Sequence, residues 1–253
     1  MSANGPMGEQ VPCLVLVGGL GTRLRPVISD MPKPMASISG KPFLEYLVQW
    51  VAGSGVRRIV LCAGYRADVI MEYFGQGERW GVDITYSLET EPLGTWGAIC
   101  QAMRNVAADH FLVLNGDSFL QIELKSLMDF HLSKQALATV ALTEVADVSR
   151  FGSVRSAADG HITEFREKGG VGPALINGGV YCLSKNLLKA AADSARSLET
   201  EVFPSLIGRG LYGMRVQGEF FDIGIPREYQ RLATDAENWI KSLKLPPGVE
   251  EEC

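Results

Sequence analysis

The 253-residue chain has no uninterrupted apolar run near the ~18 residues that a membrane-crossing helix needs. Met1 to Gln10 carry neither a basic region nor an apolar segment of signal-peptide length, which points to a cytoplasmic protein with no membrane partner. There is no polybasic block. The 24 Lys and Arg against 29 Asp and Glu leave a formal charge of −5, which argues against a nucleic-acid partner held by its phosphates. No C-x-x-C pair occurs, and the odd, scattered set Cys13, Cys62, Cys100, Cys182 and Cys253 reads as reduced, mostly buried thiols. His110, His131 and His161 lack metal-ligand spacing, so they read as structural or exposed. Ser118 lacks the G-x-S-x-G setting of a hydrolase nucleophile. Internal repeats and low-complexity linkers are absent too.

What is present is an ordinary globular composition, 46% hydrophobic, long enough to bury a full core. Short β-branched runs at 11–17, 58–62, 83–87 and 110–114 alternate with helical spacing at 43–52, 67–74 and 97–106. That rhythm predicts an α/β fold, a doubly wound, Rossmann-like, mainly parallel mixed sheet flanked by helices. After Asp117 the rhythm changes. A helix is expected over 124–132, then strands over 138–142, 153–155, 162–166 and 175–183, with Asp159-Gly160 as a hairpin turn. Segments 184–195 and 198–207 read as helical, 212–216 and 219–222 as extended, and 226–243 as one long helix with Pro near its start. The expectation is a flexible start over 1–10, a single domain over 11–243 and a loose tail over 244–253. Within the domain, a nucleotide-binding half takes about 11–120 and an acceptor half about 121–243.

The most informative segment is Gly18-Gly19-Leu20-Gly21-Thr22-Arg23-Leu24, directly after an apolar strand. Glycines let backbone N–H groups approach an anion closely, and an arginine offers a planar charged fork to phosphate oxygens. The segment fits neither G-x-G-x-x-G, which needs Gly at Leu24, nor G-x-x-x-x-G-K-[ST]. Nicotinamide dehydrogenases and P-loop NTPases both lose weight. Lys33 follows between Pro32 and Pro34, which remove backbone freedom on both sides and so hold the ammonium in place. Asp117 lies just past the C-terminal end of the 110–114 strand, the edge where doubly wound folds bind ligands, although a turn residue or helix N-cap fits the same position. Asp222, in Phe220-Phe221-Asp222-Ile223-Gly224, is a second carboxylate in a similar setting.

Gly18–Leu24 followed by Pro32-Lys33-Pro34 resembles the opening signature of the sugar nucleotidyltransferases, and the likeness runs on to about residue 235. The resemblance implies condensation of a nucleoside triphosphate with a sugar 1-phosphate, giving a nucleotide sugar and pyrophosphate. It implies that Gly18, Gly19, Gly21, Thr22, Arg23, Glu89, Gly94 and Thr95 bind the nucleotide. It gives the catalytic work to Arg23 on the leaving pyrophosphate, Lys33 on the reacting phosphate, Lys168 on the sugar phosphate, and Asp117 with Asp222 as ligands of Mg2+. It assigns the acceptor to Gly152, Glu167, Lys168, Asn177 and Glu199, although Glu199 at a helix start fits a dipole role equally well. The family also allows a homo-oligomer. A non-catalytic nucleotide-sugar sensor on the same fold is the competing class. The joint presence of Arg23, Lys33, Asp117, Lys168 and Asp222 favours an enzyme.

Guanine offers two adjacent donors that one carboxylate can accept together, whereas uracil and thymine offer one ring N–H. Glu89 stands where similar enzymes read the base edge, with Glu91 as the competing candidate, and GTP is therefore the expected nucleotide. Segments 40–46, 175–181, 197–199 and 221–226 resemble one branch of the family, the D-glycero-α-D-manno-heptose 1-phosphate guanylyltransferases of surface-polysaccharide synthesis. Mannose 1-phosphate, or transfer of uridylyl or thymidylyl groups, stays open as an alternative. Trp96 departs from the family's small residue, and either stacking on the base or packing in the core would account for it.

Overall fold

The computed structural model describes residues 11–19, 31–104, 106–166, 169–192 and 194–243. Its main strands are β1 (Cys13–Leu16), β2 (Arg58–Ala63), β3 (Asp83–Leu88), β4 (His110–Asn115), β5 (Ala138–Val145), β6 (Ala174–Ser184) and β7 (Leu211–Val216). The longer helices are α1 (Phe43–Gly53), α2 (Ala67–Phe74), α3 (Gly94–Met103), α4 (Leu124–Ser133), α5 (Pro226–Thr234) and α6 (Ala236–Ser242). These are the seven strands of a mixed, mainly parallel sheet with flanking helices, the α/β class that the alternation predicts. No helix among the described residues is long and apolar enough to cross a membrane.

The chain divides into two compact units, each built from segments far apart in sequence. The first unit takes the described residues up to Pro92, Gly116–Ser118, and Phe221 onward; the second takes Leu93–Asn115 and Phe119–Phe220. Long-range pairing and packing explain this division. β4 pairs antiparallel with the much later β6, while the last helix returns to pack on α1.

In the first unit, β1, β2 and β3 run parallel in that order, with Leu14 opposite Val60 and Val60 opposite Thr85. β1 and β2 are near-continuous apolar runs because parallel strands are covered on both faces. Almost every residue of α1 is buried. Trp239 of α6 stacks on Phe43 at 5.9 Å between ring centroids and meets Tyr46 edge-on at 5.0 Å. Glu45, fully buried on α1, accepts hydrogen bonds from Gln49 and the Tyr73 hydroxyl, with Lys41 and Arg79 at 4.0 and 3.8 Å. The outer strand β3 does not end the hydrogen bonding, because Ile84 N–H donates to the carbonyl of Gln76 in the loop after α2.

In the second unit the order is β7-β5-β6-β4, with β6 antiparallel to both neighbours and β7 parallel to β5. The pairing of β6 with β5 shifts register between Asn177 and Tyr181, where Gly179 adopts φ 76°. Such a shift within a strand re-aims the side chains beside it. The expected hairpin forms from Val154–Ser156 and Ile162–Phe165. Its Gly160 carbonyl accepts from Gly213 N–H on β7.

Three expectations change. The 226–243 segment is two helices, because Asp235 leaves helical geometry at φ −111°, ψ 28° and its carboxylate accepts from Asn238. Of 184–195 only Leu187–Ala190 is helical, since Ser184 still belongs to β6 and Ala191 is extended. The 198–207 helix shrinks to a π turn, Leu198–Val202, running into Phe203–Ser205.

His131 is fully buried on α4, with Nδ1 2.9 Å from Thr139 Oγ1 and Nε2 3.1 Å from His110 Nδ1. Burial first, and the neighbouring His110 second, push its imidazole down to about 4. The unfolded chain binds this proton near pH 6.5 and the folded chain does not, so the stability is present above 6.5 and is lost as pH falls towards 4. Between pH 6.5 and 5 the loss should approach about 1.4 kcal/mol per pH unit. Urea unfolding of wild type and His131→Gln at pH 7 and 5 checks this: the variant should show the smaller decline.

Candidate active site

The first unit gathers its candidate site residues at the C-terminal edge of its parallel strands. β1 leads to Gly18 and Gly19, β2 to Gly64, and β3 to Glu89. A methyl group on Gly18 would lie 2.5 Å from Glu89 Oε1 and 3.3 Å from Gly64 N, so the three segments lie close together at this edge. Gly19 has nothing within 4 Å of the same position. Gly116 N–H donates to Leu16 O at 2.9 Å, which seats Asp117 beside the end of β1. Ile223 N–H in turn donates to Asp117 O at 3.0 Å and brings Asp222 alongside.

Lys33 stands at this junction. Pro32 precedes a 3-10 turn, Lys33–Met35, and the lysine is only 9% exposed. Its Nζ lies 2.5 Å from Asp117 Oδ2 and 3.9 Å from Asp222 Oδ1. The carboxylates are 40% and 22% exposed, so one side of the cluster is reachable from solvent. Asp222 Oδ1 also accepts from Gly224 N–H at 2.7 Å. Two carboxylates about one ammonium are hard oxygen donors with a net negative charge, a set that fits a hard divalent cation sharing phosphate oxygens. No group of three or more His, Cys, Asp or Glu side chains suited to a metal occurs among the described residues, so a cation here would draw its remaining ligands from substrate and water.

The second unit holds a neutral and anionic network. Thr95, near the start of α3, donates to Glu199 Oε2 at 2.8 Å and accepts from Leu198 N–H at 2.8 Å. Tyr181, fully buried, donates to Glu199 Oε1 at 3.4 Å, while Asn177 and Asn115 donate to its oxygen at 2.9 and 3.3 Å. Burial above all, then the charge of Glu199, hold the Tyr181 hydroxyl well above the usual phenol value, so it remains a donor. Asn177 Oδ1 accepts from Gly179 N–H at 2.9 Å. Gly94, at φ 78°, would drive a methyl to 2.4 Å from Arg196 O. Gly152 is likewise tight, 2.8 Å from Arg166 O by the same measure. Trp96 is 2% exposed, which assigns it to the core.

Lys33, Asp117 and Asp222 are thus brought together, as are Gly18 and Glu89, and separately Thr95, Asn177 and Glu199. Gly21, Thr22, Arg23, Glu167 and Lys168 lie outside the described residues. Sequence reading passed over Gly64, Gly224 and Tyr181. Gly224 was open to discovery, two residues after a candidate carboxylate, but Tyr181 looks like any apolar strand residue until its neighbours are known.

Residues 13–238 match a protein family described as "Nucleotidyl transferase". A D-glycero-alpha-D-manno-heptose 1-phosphate guanylyltransferase from Aneurinibacillus thermoaerophilus is 36% identical over 229 residues, 90% of this chain and 99% of the relative. A mannose-1-phosphate guanylyltransferase from Mycobacterium tuberculosis is 36% identical over 232 residues, 90% of this chain and 65% of that protein. Among solved structures, HddC from Yersinia pseudotuberculosis complexed with GMP-PN superposes with a TM-score of 0.79 at 34% identity, over 89% of this chain and 99% of that one.

A methyl on Gly224 would sit 2.0 Å from Lys33 Nζ and 2.7 Å from Asp222 Oδ1. Gly224→Ala should therefore cost about 1–3 kcal/mol of stability by displacing the ion pair. Gly19→Ala, with open space, should stay within about 0.5 kcal/mol of wild type. Denaturant midpoints of the two variants measure the contrast.

Proposed function

The chain belongs to the nucleotidyl transferase family, and from that premise we propose that it transfers GMP from GTP to D-glycero-α-D-manno-heptose 1-phosphate, releasing GDP-heptose and pyrophosphate. The observation that carries the transferase chemistry is Lys33 held between Asp117 and Asp222. The acceptor and base rest on the relative from A. thermoaerophilus and on Glu89 at the strand edge beside Gly18.

A sugar phosphate is already ionised near neutral pH, so in-line attack on the α-phosphorus needs no general base. The work is alignment and stabilisation of charge. Lys33 supplies an ammonium to the reacting phosphate, and its buried stem keeps that charge in one place. Asp117 and Asp222 would hold a divalent cation, magnesium, which supplies positive charge to the triphosphate when bound. Gly18, Gly19, Gly21 and Thr22 would bind the nucleotide, and Arg23 would grip the pyrophosphate. Glu89 accepts guanine N1–H and the 2-amino group together. Gly152, Glu167, Lys168, Asn177 and Glu199 take the sugar phosphate. A second reading, mannose 1-phosphate as acceptor, is favoured by the M. tuberculosis relative, which is identical to the same 36%.

Pyrophosphate release across four nucleoside triphosphates and a panel of hexose and heptose 1-phosphates tests the assignment. Turnover should be greatest with GTP and the manno-heptose phosphate, vanish with EDTA and return with magnesium. Preference for UTP or dTTP would sink the guanine reading, and silence on every pair would favour a binding module. Asp117→Asn should lower kcat by about 10²–10³-fold or more, whereas a sensor would keep its affinity.

Glu89→Gln should lower kcat/KM for GTP about tenfold more than for UTP, since hydrogen bonds to a charged acceptor carry about 1.5–3 kcal/mol. Equal losses on both nucleotides would move base recognition elsewhere.

A further inference from the structure

Thr95 sits in the first turn of α3, where a nucleotide contact is expected, yet its only hydroxyl proton goes to Glu199 Oε2 at 2.8 Å and its oxygen receives Leu198 N–H at 2.8 Å. Both bonds are well inside hydrogen-bonding range, and the second pins the turn that carries Glu199. Among the described residues, every hydrogen-bond partner of the Glu199 carboxylate is a donor: Thr95 and, at 3.4 Å, Ser197 on Oε2, and Tyr181 on Oε1. Among the described residues no cation pairs with it. A half-buried carboxylate held this way has fixed direction and spare acceptor capacity.

The donors around Tyr181 complete the pattern. Its oxygen takes Nδ2–H groups from Asn177 and Asn115, which forces its own proton towards Glu199. Asn177 spends its oxygen on Gly179 N–H and one Nδ2 proton on Tyr181, leaving one N–H beyond these contacts. An oriented acceptor and an oriented donor on one shared hydroxyl match the needs of a sugar alcohol, which gives one hydrogen bond and accepts another.

We infer that Thr95 is a positioning residue for the acceptor sugar, fixing the Glu199 carboxylate to receive a sugar hydroxyl to which Asn177 donates. This rests on the sugar 1-phosphate transfer proposed above. Thr95 gains its effect through Glu199 and touches no reacting atom.

Steady-state kinetics of Thr95→Val, Thr95→Ser and Glu199→Gln, with both substrates varied, test it on whichever pair the wild type turns over best. Thr95→Val keeps the side-chain shape and loses the hydroxyl. It should raise KM for the sugar 1-phosphate about tenfold, leave KM for the nucleotide within about twofold and alter kcat little. Thr95→Ser should restore wild-type values, and adding Glu199→Gln to Thr95→Val should cost little more than Glu199→Gln alone. A rise in nucleotide KM with unchanged sugar KM would overturn the inference and return Thr95 to the nucleotide. So would a serine variant as impaired as valine. If Thr95→Val does not fold, Tyr181→Phe removes the hydroxyl donor to Glu199 Oε1 and is read against the same criteria. A wild type inactive on every pair overturns the transferase reading and the inference with it; an active wild type with an indifferent Thr95→Val overturns the inference alone.

Discussion

A lysine ammonium taken almost wholly out of water is stable only beside opposite charge, and much of the first unit is arranged to keep Lys33 beside Asp117 and Asp222. Pro32 and Pro34 fix the turn that carries it, and the bond from Phe43 N–H to Ala36 O ties that turn to the start of α1. Asp117 is set by backbone bonds to the end of β1 and to Ile223, while Gly224 leaves the space that the ammonium occupies. Removing Lys33 from such a cluster would leave two neighbouring carboxylates without compensation. The same energetics make the cluster responsive, because an arriving phosphate offers Lys33 a further anion and a cation offers the two aspartates a replacement for it.

The second unit solves a different problem. Around Thr95 and Tyr181 a single carboxylate, Glu199, is set among hydroxyls and amides, and direction comes from the proton count of Tyr181 and Thr95. Charged groups suit phosphate, which is bound mainly by electrostatics. Fixed neutral donors and acceptors suit a polyol, which is distinguished by where its hydroxyls point.

Much of this was legible in the sequence where the cause is local. Apolar runs gave the strands, and parallel strands deliver the residues that follow them to one side, which brings the glycines after β1 and Glu89 after β3 to the same edge. The meeting of Lys33 with Asp117 was not legible: 84 residues separate them, and only the closing of Gly116 on Leu16 makes them neighbours. The break at Asp235 was missed because its neighbours keep helical spacing on either side. Thr95 was read from the company it keeps in the chain, whereas its bonds go to residues 103 and 104 positions away. The family likeness named Thr95, Asn177 and Glu199, and the direction of each hydrogen bond among them is read from the structure.

The hydrogen bonds that run past β3 and β7 have a consequence for assembly. An outer strand with open N–H and carbonyl groups is a template on which another chain can add a strand, and proteins suppress this by covering or charging such edges. On β3, the loop after α2 takes Ile84 N–H, and the Tyr86 hydroxyl closes on Gly75 O. On β7, the Val154–Phe165 hairpin takes Gly213 N–H, pairs His161 with Tyr212 and accepts the Arg215 guanidinium at Ser156. Each outer strand is therefore guarded by a segment of its own unit, so self-association of this chain by sheet extension would first have to displace those loops, and partners are left with side-chain surfaces instead.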